Sequence, residues 1–293
     1  MNRSTASPAT NVTTEFRQVF STTRGSDDMF LFLQNIFHLF PEKKFHALLT
    51  DAVRQYESDQ QIYETVQAKL PSIRTLLAPI TYAVPALKKQ KREMARQTLK
   101  LLGDRKQIDG YLEIGSTGRY VSELRKHLSF TGRLLISNDI PPSNSPADMM
   151  ERGQFSKLGE FVPLDYRPLD THGIAPESLD VITCYIGLHH CPPELLDGYA
   201  RSILCALKPG GLYIMRDHDA GTPQSSTFCS LVHTVFNLGL NIPWATNAID
   251  IKLFRSADGW AKYLTDQGFV ESGPRLLQEH DPSINTLQIF RKN

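Results

Sequence analysis

The sequence predicts an α/β protein: a mostly parallel sheet with helices on both faces, preceded by an all-helical subdomain. Three observations carry this. From Phe16 to Leu102 apolar residues recur at helical spacing and no strand pattern appears. From Gly110 onward short apolar runs alternate with helical patterns. Parallel strands need helical crossovers, so this β-α-β-α alternation implies a covered parallel sheet.

The 293 residues suit one large domain with a smaller companion. With 41% hydrophobic residues the chain can bury a sizeable core. Lys and Arg number 32 against 31 Asp and Glu, a net charge of +1, which argues against a polyanion binder, so no nucleic-acid partner is expected. The longest dense apolar stretch, Met29 to Phe40, is broken by Gln34, Asn35 and His38. A membrane span needs about 20 apolar residues, so no membrane partner is expected either. Residues 1–14 are polar, lack a secretory pattern and read as disordered. The cysteines, Cys184, Cys191, Cys205 and Cys229, form no Cys-x-x-Cys pair and read as reduced thiols of a cytoplasmic protein.

The helical half, 15–104, is expected to form a cap. Phe30, Leu33, Phe37 and Phe40 mark a helix stopped by Pro41. Phe45, Leu48, Leu49, Ala52, Val53 and Tyr56 make a second stripe, and Ile62, Val66 and Leu70 a third, ended by Pro71. Leu76, Leu77, Ile80, Val84 and Leu87 suggest a fourth, interrupted by Pro79 and Pro85. Lys88 to Leu102 is the last. Its basic start is read as a solvated face.

In the second half, 105–293, the strands are expected at Tyr111–Ile114, Gly132–Ser137, Glu160–Leu164, Leu179–Tyr185 and Gly211–Met215. Helices are expected at Tyr120–His127 and at Glu194–Leu207, the latter closed by Lys208-Pro209-Gly210-Gly211. An insert, 217–255, carries a helical stretch from Phe228 to Leu238 and extends the cap. A helix from Asp258 to Gln267 and a pair of strands, Phe269–Gln278 and Thr286–Phe290, close the chain.

Ligands of such sheets sit at the carboxyl ends of the strands. The first strand runs into Glu113-Ile114-Gly115-Ser116-Thr117-Gly118, whose small residues allow a tight turn and a close ligand. Asp139 ends the second strand, 21 residues after Gly118, where a carboxylate accepts ribose hydroxyls. Asp165 ends the third and suits an adenine amino group. Each alone could equally be a cap or turn residue. Their order along one sheet favours the ligand reading.

With these residues the chain resembles the class I S-adenosylmethionine-dependent methyltransferases over about residues 105–293. The resemblance rests on Leu112-Glu113-Ile114-Gly115, Asp139, Ser178-Leu179-Asp180-Val181-Ile182 and the Leu-Lys-Pro-Gly-Gly core of Leu204 to Leu212. It implies a seven-stranded Rossmann-like sheet with its last strand antiparallel. It implies S-adenosyl-L-methionine as cofactor, held by Glu113, Gly115, Ser116, Gly118, Tyr120, Asp139, Asp165 and Tyr185. The family pattern acidic-x-Gly-x-Gly-x-Gly is reduced here to Gly115 and Gly118.

Methyl transfer from a sulfonium needs orientation, desolvation and sometimes a base. Candidates at the fourth and fifth strand ends are His189, His190, Arg216 and His218, with Asp217 or Asp219 orienting His218. The alternative is a packed turn and an ion-paired rim. His233 and Asn237, one turn apart, line the pocket or satisfy the core. Zinc is the alternative for so many histidines, since His189, His190, His218, His233 and Cys191 could meet, but no two have His-x-x-x-His spacing, so no metal is expected.

The expected function is methyl transfer to an oxygen or nitrogen of a small-molecule acceptor. One alternative is a cyclase or lyase acting on the aminocarboxypropyl arm and releasing methylthioadenosine. Another is a non-catalytic binding protein with a degenerate site. A homodimer is an expected possibility, through the apolar first helix.

Overall fold

The computed structural model describes residues 14–74 and 84–293. The expected disorder of 1–13 and the helical pattern through Leu76, Leu77 and Ile80 lie outside them.

Four helices open the chain: α1 (Glu15–Phe20), α2 (Thr23–Asn35), α3 (Glu42–Gln55) and α4 (Asp59–Ile73). The hydroxyls of Thr14, Thr22 and Ser58 cap α1, α2 and α4 by accepting backbone N–H bonds. Helix α2 stops before the expected Pro41. Phe37 and Phe40 leave the helix because their rings pack on Phe45, with centroids 6.5 and 5.4 Å away, so tertiary packing overrides the periodicity. Pro71 does not end α4. It sits in the last turn and gives up one ladder bond, the one to the Gln67 carbonyl, and the helix ends two residues later.

Helices α1–α4 bury Phe16, Phe32, Phe45, Leu49, Ile62 and Tyr63 in one cluster. The cluster is completed by Leu231, Val232, Val235 and Leu238 of α9 (Pro223–Gly239), a helix of the insert. Each such side chain contributes about 1.5–3 kcal/mol on burial. The hydroxyl of Tyr63 and the amide of Gln67 both donate to the Ile242 carbonyl at 2.7 Å, fixing the chain after α9 to α4.

Helix α5 (Val84–Leu102) belongs elsewhere. Its Met94, Ala95 and Leu102 join the core under the sheet, so by packing the helical unit ends before α5 and not at residue 104.

The sheet contains β1 (Gln107–Ile114), β2 (Ser129–Asn138), β3 (Glu160–Pro163), β4 (Leu179–Cys184), β5 (Leu207–His218), β6 (Val270–Glu271), β7 (Leu276–Leu277) and β8 (Asn285–Arg291). The order is β3-β2-β1-β4-β5-β8-β6, and β7 also pairs with β8. Strands β1 to β5 run parallel and β8 runs antiparallel to β5. The expected closing pair is thus three strands, because the first member divides into β6 and β7 around Gly273. The Lys208–Gly211 turn lies inside β5, where a register irregularity between Leu179 and Val181 of β4 absorbs it.

One face of the sheet carries α8 (Pro193–Ala206) and α11 (Ala257–Asp266), with Tyr199, Ile203 and Trp260 packed on Leu112, Ile182 and Tyr213. The other carries α5 and α6 (Val121–Leu124). Helices α7 (Pro146–Arg152) and α10 (Trp244–Ala248) are too short for a periodic pattern to announce them. Among the described residues no helix is long and apolar enough to cross a membrane.

Candidate active site

The strand order reverses at β1, which has β2 on one side and β4 on the other. In open α/β sheets the ligand crevice opens at this point, beyond the carboxyl ends.

The turn after β1 is built from its own polar groups. Glu113 is fully buried and accepts from the backbone N–H of Tyr120 at 3.1 Å and Val121 at 2.6 Å, and from the Ser116 hydroxyl. The Ser116 oxygen accepts in turn from the N–H groups of Gly118 and Arg119 at 3.0 and 3.1 Å. Burial raises the Glu113 carboxyl above its ordinary range, and these donors oppose that. Glu113 and Ser116 therefore shape the turn from beneath, their polar atoms occupied by it. Gly115 has φ +84°, and a Cβ there would lie 2.5 Å from the Ile186 side chain, so only glycine fits. Gly118 lies against Leu158 and Ile136.

Tyr120 and Tyr185 are buried, their ring centroids 4.4 Å apart, and the Tyr185 hydroxyl bonds Thr98 of α5 at 2.7 Å. They form the wall behind the turn. Asp139 stands just past β2, exposed and without a partner among the described residues. Asp165, past β3, accepts from the Arg167 N–H at 3.0 Å and lies 3.0 Å from His172 Nε2. Two buried hydroxyl oxygens at these strand ends, Thr117 Oγ1 and Ser137 Oγ, have no hydrogen-bond partner.

The ends of β4 and β5 hold the second group. Asp217 is buried and accepts three N–H bonds: His189 Nδ1 at 2.7 Å, Leu188 N at 2.9 Å and His218 N at 2.7 Å. Burial pushes its carboxyl up to about 6, and the neighbouring N–H donors and imidazoles pull against that. Burial, reinforced by the neighbouring imidazoles, drives His189 well below its ordinary value, so it is neutral, with Nδ1–H toward Asp217. Gly187 makes the pairing possible. It has φ +81°, and a Cβ there would meet Asp217 Oδ2 at 2.5 Å and His189 Nδ1 at 2.6 Å.

Around His189 lie His190, His233 and His218, with ring centroids 4.2, 4.8 and 5.4 Å away. Phe254 walls the group, 5.0 Å from the His189 ring. His218 Nδ1 donates to the Ser283 carbonyl at 2.9 Å, and its Nε2 lies 3.1 Å from His233 Nε2. His190 Nδ1 donates to the Ile251 carbonyl at 3.1 Å.

Asp217 thus orients His189, not the expected His218, because the Gly187 turn brings the His189 ring back over β5. Asp219 is spent capping α11, accepting from Ala257 N at 2.8 Å. Arg216 is held by the Tyr185 carbonyl and Gln278, 3.9 Å from Asp281. Asn237 pairs with Asn247 at 3.0 Å while His233 joins the cluster. Spacing gave no sign of the grouping of His189, His190 and His233, since His233 sits on α9. Asp250 and Phe254 carried no sequence signal.

Neither a family model nor a curated protein sequence matches the chain. Among solved structures, the chain is similar to a Burkholderia thailandensis 1,6-didemethyltoxoflavin-N1-methyltransferase, with 15% identity over 69% of this chain and 78% of that one, TM-score 0.45. It is also similar to the CurJ carbon methyltransferase, with 17% identity over 92% and 70% of the two chains, TM-score 0.47. A third is the N-methyltransferase NodS of Bradyrhizobium japonicum, 17% identical over 69% and 86%, TM-score 0.43. At these values the likeness is too distant to assign an activity. The sheet order speaks for itself: five parallel strands wound outward from β1, then an antiparallel β8 beside β5. The chain has a Rossmann-like, doubly wound α/β fold.

Proposed function

We propose that the chain is an S-adenosylmethionine-dependent methyltransferase acting on an oxygen or nitrogen of a small organic acceptor. The observation that carries this is Asp139, an exposed and unpaired carboxylate at the end of β2 beside the glycine turn, where sheets of this winding hold a nucleoside ribose. The unpartnered Thr117 and Ser137 hydroxyls beside it fit the same polar ligand. When bound, the cofactor supplies a methyl group already activated on a sulfonium.

The chain's own residues then have three tasks. Asp139 accepts the ribose hydroxyls and Asp165 the adenine amino group, while the bare backbone of Gly115 allows close approach. Tyr120 and Tyr185 hold the turn rigid from behind. At the other end His189, fixed by Asp217, offers an imidazole lone pair on the acceptor side, where the acceptor must lose a proton. The buried setting and the ring of Phe254 keep that end dry, which favours a small, partly apolar acceptor.

Titration calorimetry with S-adenosylmethionine and S-adenosylhomocysteine tests the reading. Binding of both, with mass spectrometry finding S-adenosylhomocysteine as the turnover product, supports it. Methylthioadenosine as product would replace it by the cyclase or lyase chemistry, and binding without turnover by a non-catalytic role.

A further inference from the structure

We propose that His189, His190 and His233 form a binding site for a divalent transition metal of the zinc type, with a position open to an outside ligand. One ring nitrogen from each lies within 4.8 Å of the others, though they come from the loop after β4 and from α9. A zinc ion bound by nitrogens about 2.0–2.1 Å away brings them about 3.3 Å apart, so coordination would draw the rings somewhat closer.

A second observation points into the same space. His189 is 2% exposed, and its Nε2 is buried with no hydrogen-bond partner. Such an atom carries an uncompensated desolvation cost unless something meets it. Its other nitrogen, Nδ1, donates to the buried Asp217 at 2.7 Å. A carboxylate behind an imidazole is the support that metal-ligating histidines use: it fixes the tautomer and turns the second nitrogen outward as a lone pair. His190 repeats the arrangement, with Nδ1 3.1 Å from the Ile251 carbonyl and 3.4 Å from Asp250, leaving Nε2 free to ligate.

His218 sets the tautomer of the third ligand. Its Nδ1–H is committed to the Ser283 carbonyl, so its Nε2 accepts from His233 Nε2–H at 3.1 Å. That bond leaves His233 Nδ1 as the lone pair.

The charges are compatible. Asp217 and Asp250 supply negative charge behind the ligands. The nearby cations have partners of their own: Arg216 is on Gln278 and Tyr185, and Lys252 donates to Thr234 and the Ser230 carbonyl at 3.0 and 3.3 Å. A donor set of neutral imidazoles selects zinc, cobalt, nickel or copper over magnesium or calcium. Three histidines with one open position is the pattern of sites that polarise a bound oxygen, and here that oxygen would be the acceptor's. The site rests on the cluster's geometry, while its use on the acceptor rests on the methyl-transfer reading; with a metal bound, His189 Nε2 would be a ligand and the metal, not that imidazole, would polarise the acceptor.

The test uses the full chain without a histidine tag, stripped with chelator and titrated with zinc(II) against a chromophoric chelator. We expect one ion per chain, and with cobalt(II) the visible absorption of a four-coordinate site. His190→Ala and His233→Ala should each weaken zinc binding at least about tenfold, and Asp217→Asn about 10-fold or more by loosening His189. Because His190 is partly exposed, His190→Asn provides a milder variant, and circular dichroism checks that each variant is folded. Zinc binding that is absent in the folded wild type, or equal in all folded variants, overturns the site. S-adenosylhomocysteine titrated into the same samples separates this failure from a failure of the methyltransferase reading.

Discussion

At the ends of β1 and β2 the chain satisfies Glu113 and Ser116 with its own backbone, and leaves the small Thr117 and Ser137 hydroxyls unpartnered and one carboxylate exposed. At the ends of β4 and β5 it buries His189 and His218, half-buries His190 and the facing His233, and leaves a ring nitrogen unsatisfied. The first arrangement is inexpensive: Glu113 and Ser116 close the turn, and Asp139 stays in water until a ligand arrives. The second carries a desolvation cost that packing alone would have avoided with apolar residues. Under the proposed methyl transfer, the contrast gives ligand holding to the first region and chemistry to the second.

The sharpest way to break this division is His189→Ala. Turnover should fall about 10²–10⁴-fold while S-adenosylhomocysteine affinity stays level, measured by single-turnover rates and calorimetry. A large loss of cofactor affinity would merge the two regions. Asp139→Ala should do the reverse, costing about 1.5–3 kcal/mol of cofactor binding, tenfold or more in Kd, without moving the melting temperature. The two glycines extend the comparison. Gly115→Ala should destabilise the protein by about 1–3 kcal/mol and weaken cofactor binding, whereas Gly187→Ala should cost similar stability but lower kcat by separating Asp217 from His189. Thermal melts with calorimetry and kinetics distinguish them. The smallest effect belongs to Asp165→Ala, about 1.5 kcal/mol of cofactor affinity, the low end for a bond to a carboxylate because this one already accepts from the Arg167 N–H and lies on His172, and no change in turnover of the bound complex.

The region that holds was the legible one. Its residues follow consecutive strand ends, so Gly115, Asp139 and Asp165 could be read in chain order once the β-α-β rhythm was seen. Even there Glu113 and Ser116 were read as touching the ligand, because a pattern shows position and not which way a carboxylate is spent. The reacting region was half legible. His189, His190 and His218 stood out as polar residues after apolar strands, but their pairing did not, since Asp217 could reach either neighbour and only the Gly187 turn decides. His233 lies 44 residues beyond His189 on a helix whose other side is core; its spacing from Asn237 marked it as a pocket or core residue, and nothing local decides between the two. The end of α2 was misread for a related reason: Phe37 and Phe40 answer to Phe45 and Phe236, contacts invisible to a helical repeat.

Helix α9 is anchored twice. Leu231, Val232 and Val235 are fastened into the core of α1–α4, while His233 between them meets His218 above the sheet. The cap therefore cannot lift without withdrawing one imidazole from the group. If the proposed methyl transfer holds, passage of molecules and readiness to react would become a single mechanical variable: a lifted cap would disarm the group, and arming it would require closure. Hydrogen exchange along α9 should slow when the crevice is filled, and an unchanged rate would uncouple the two.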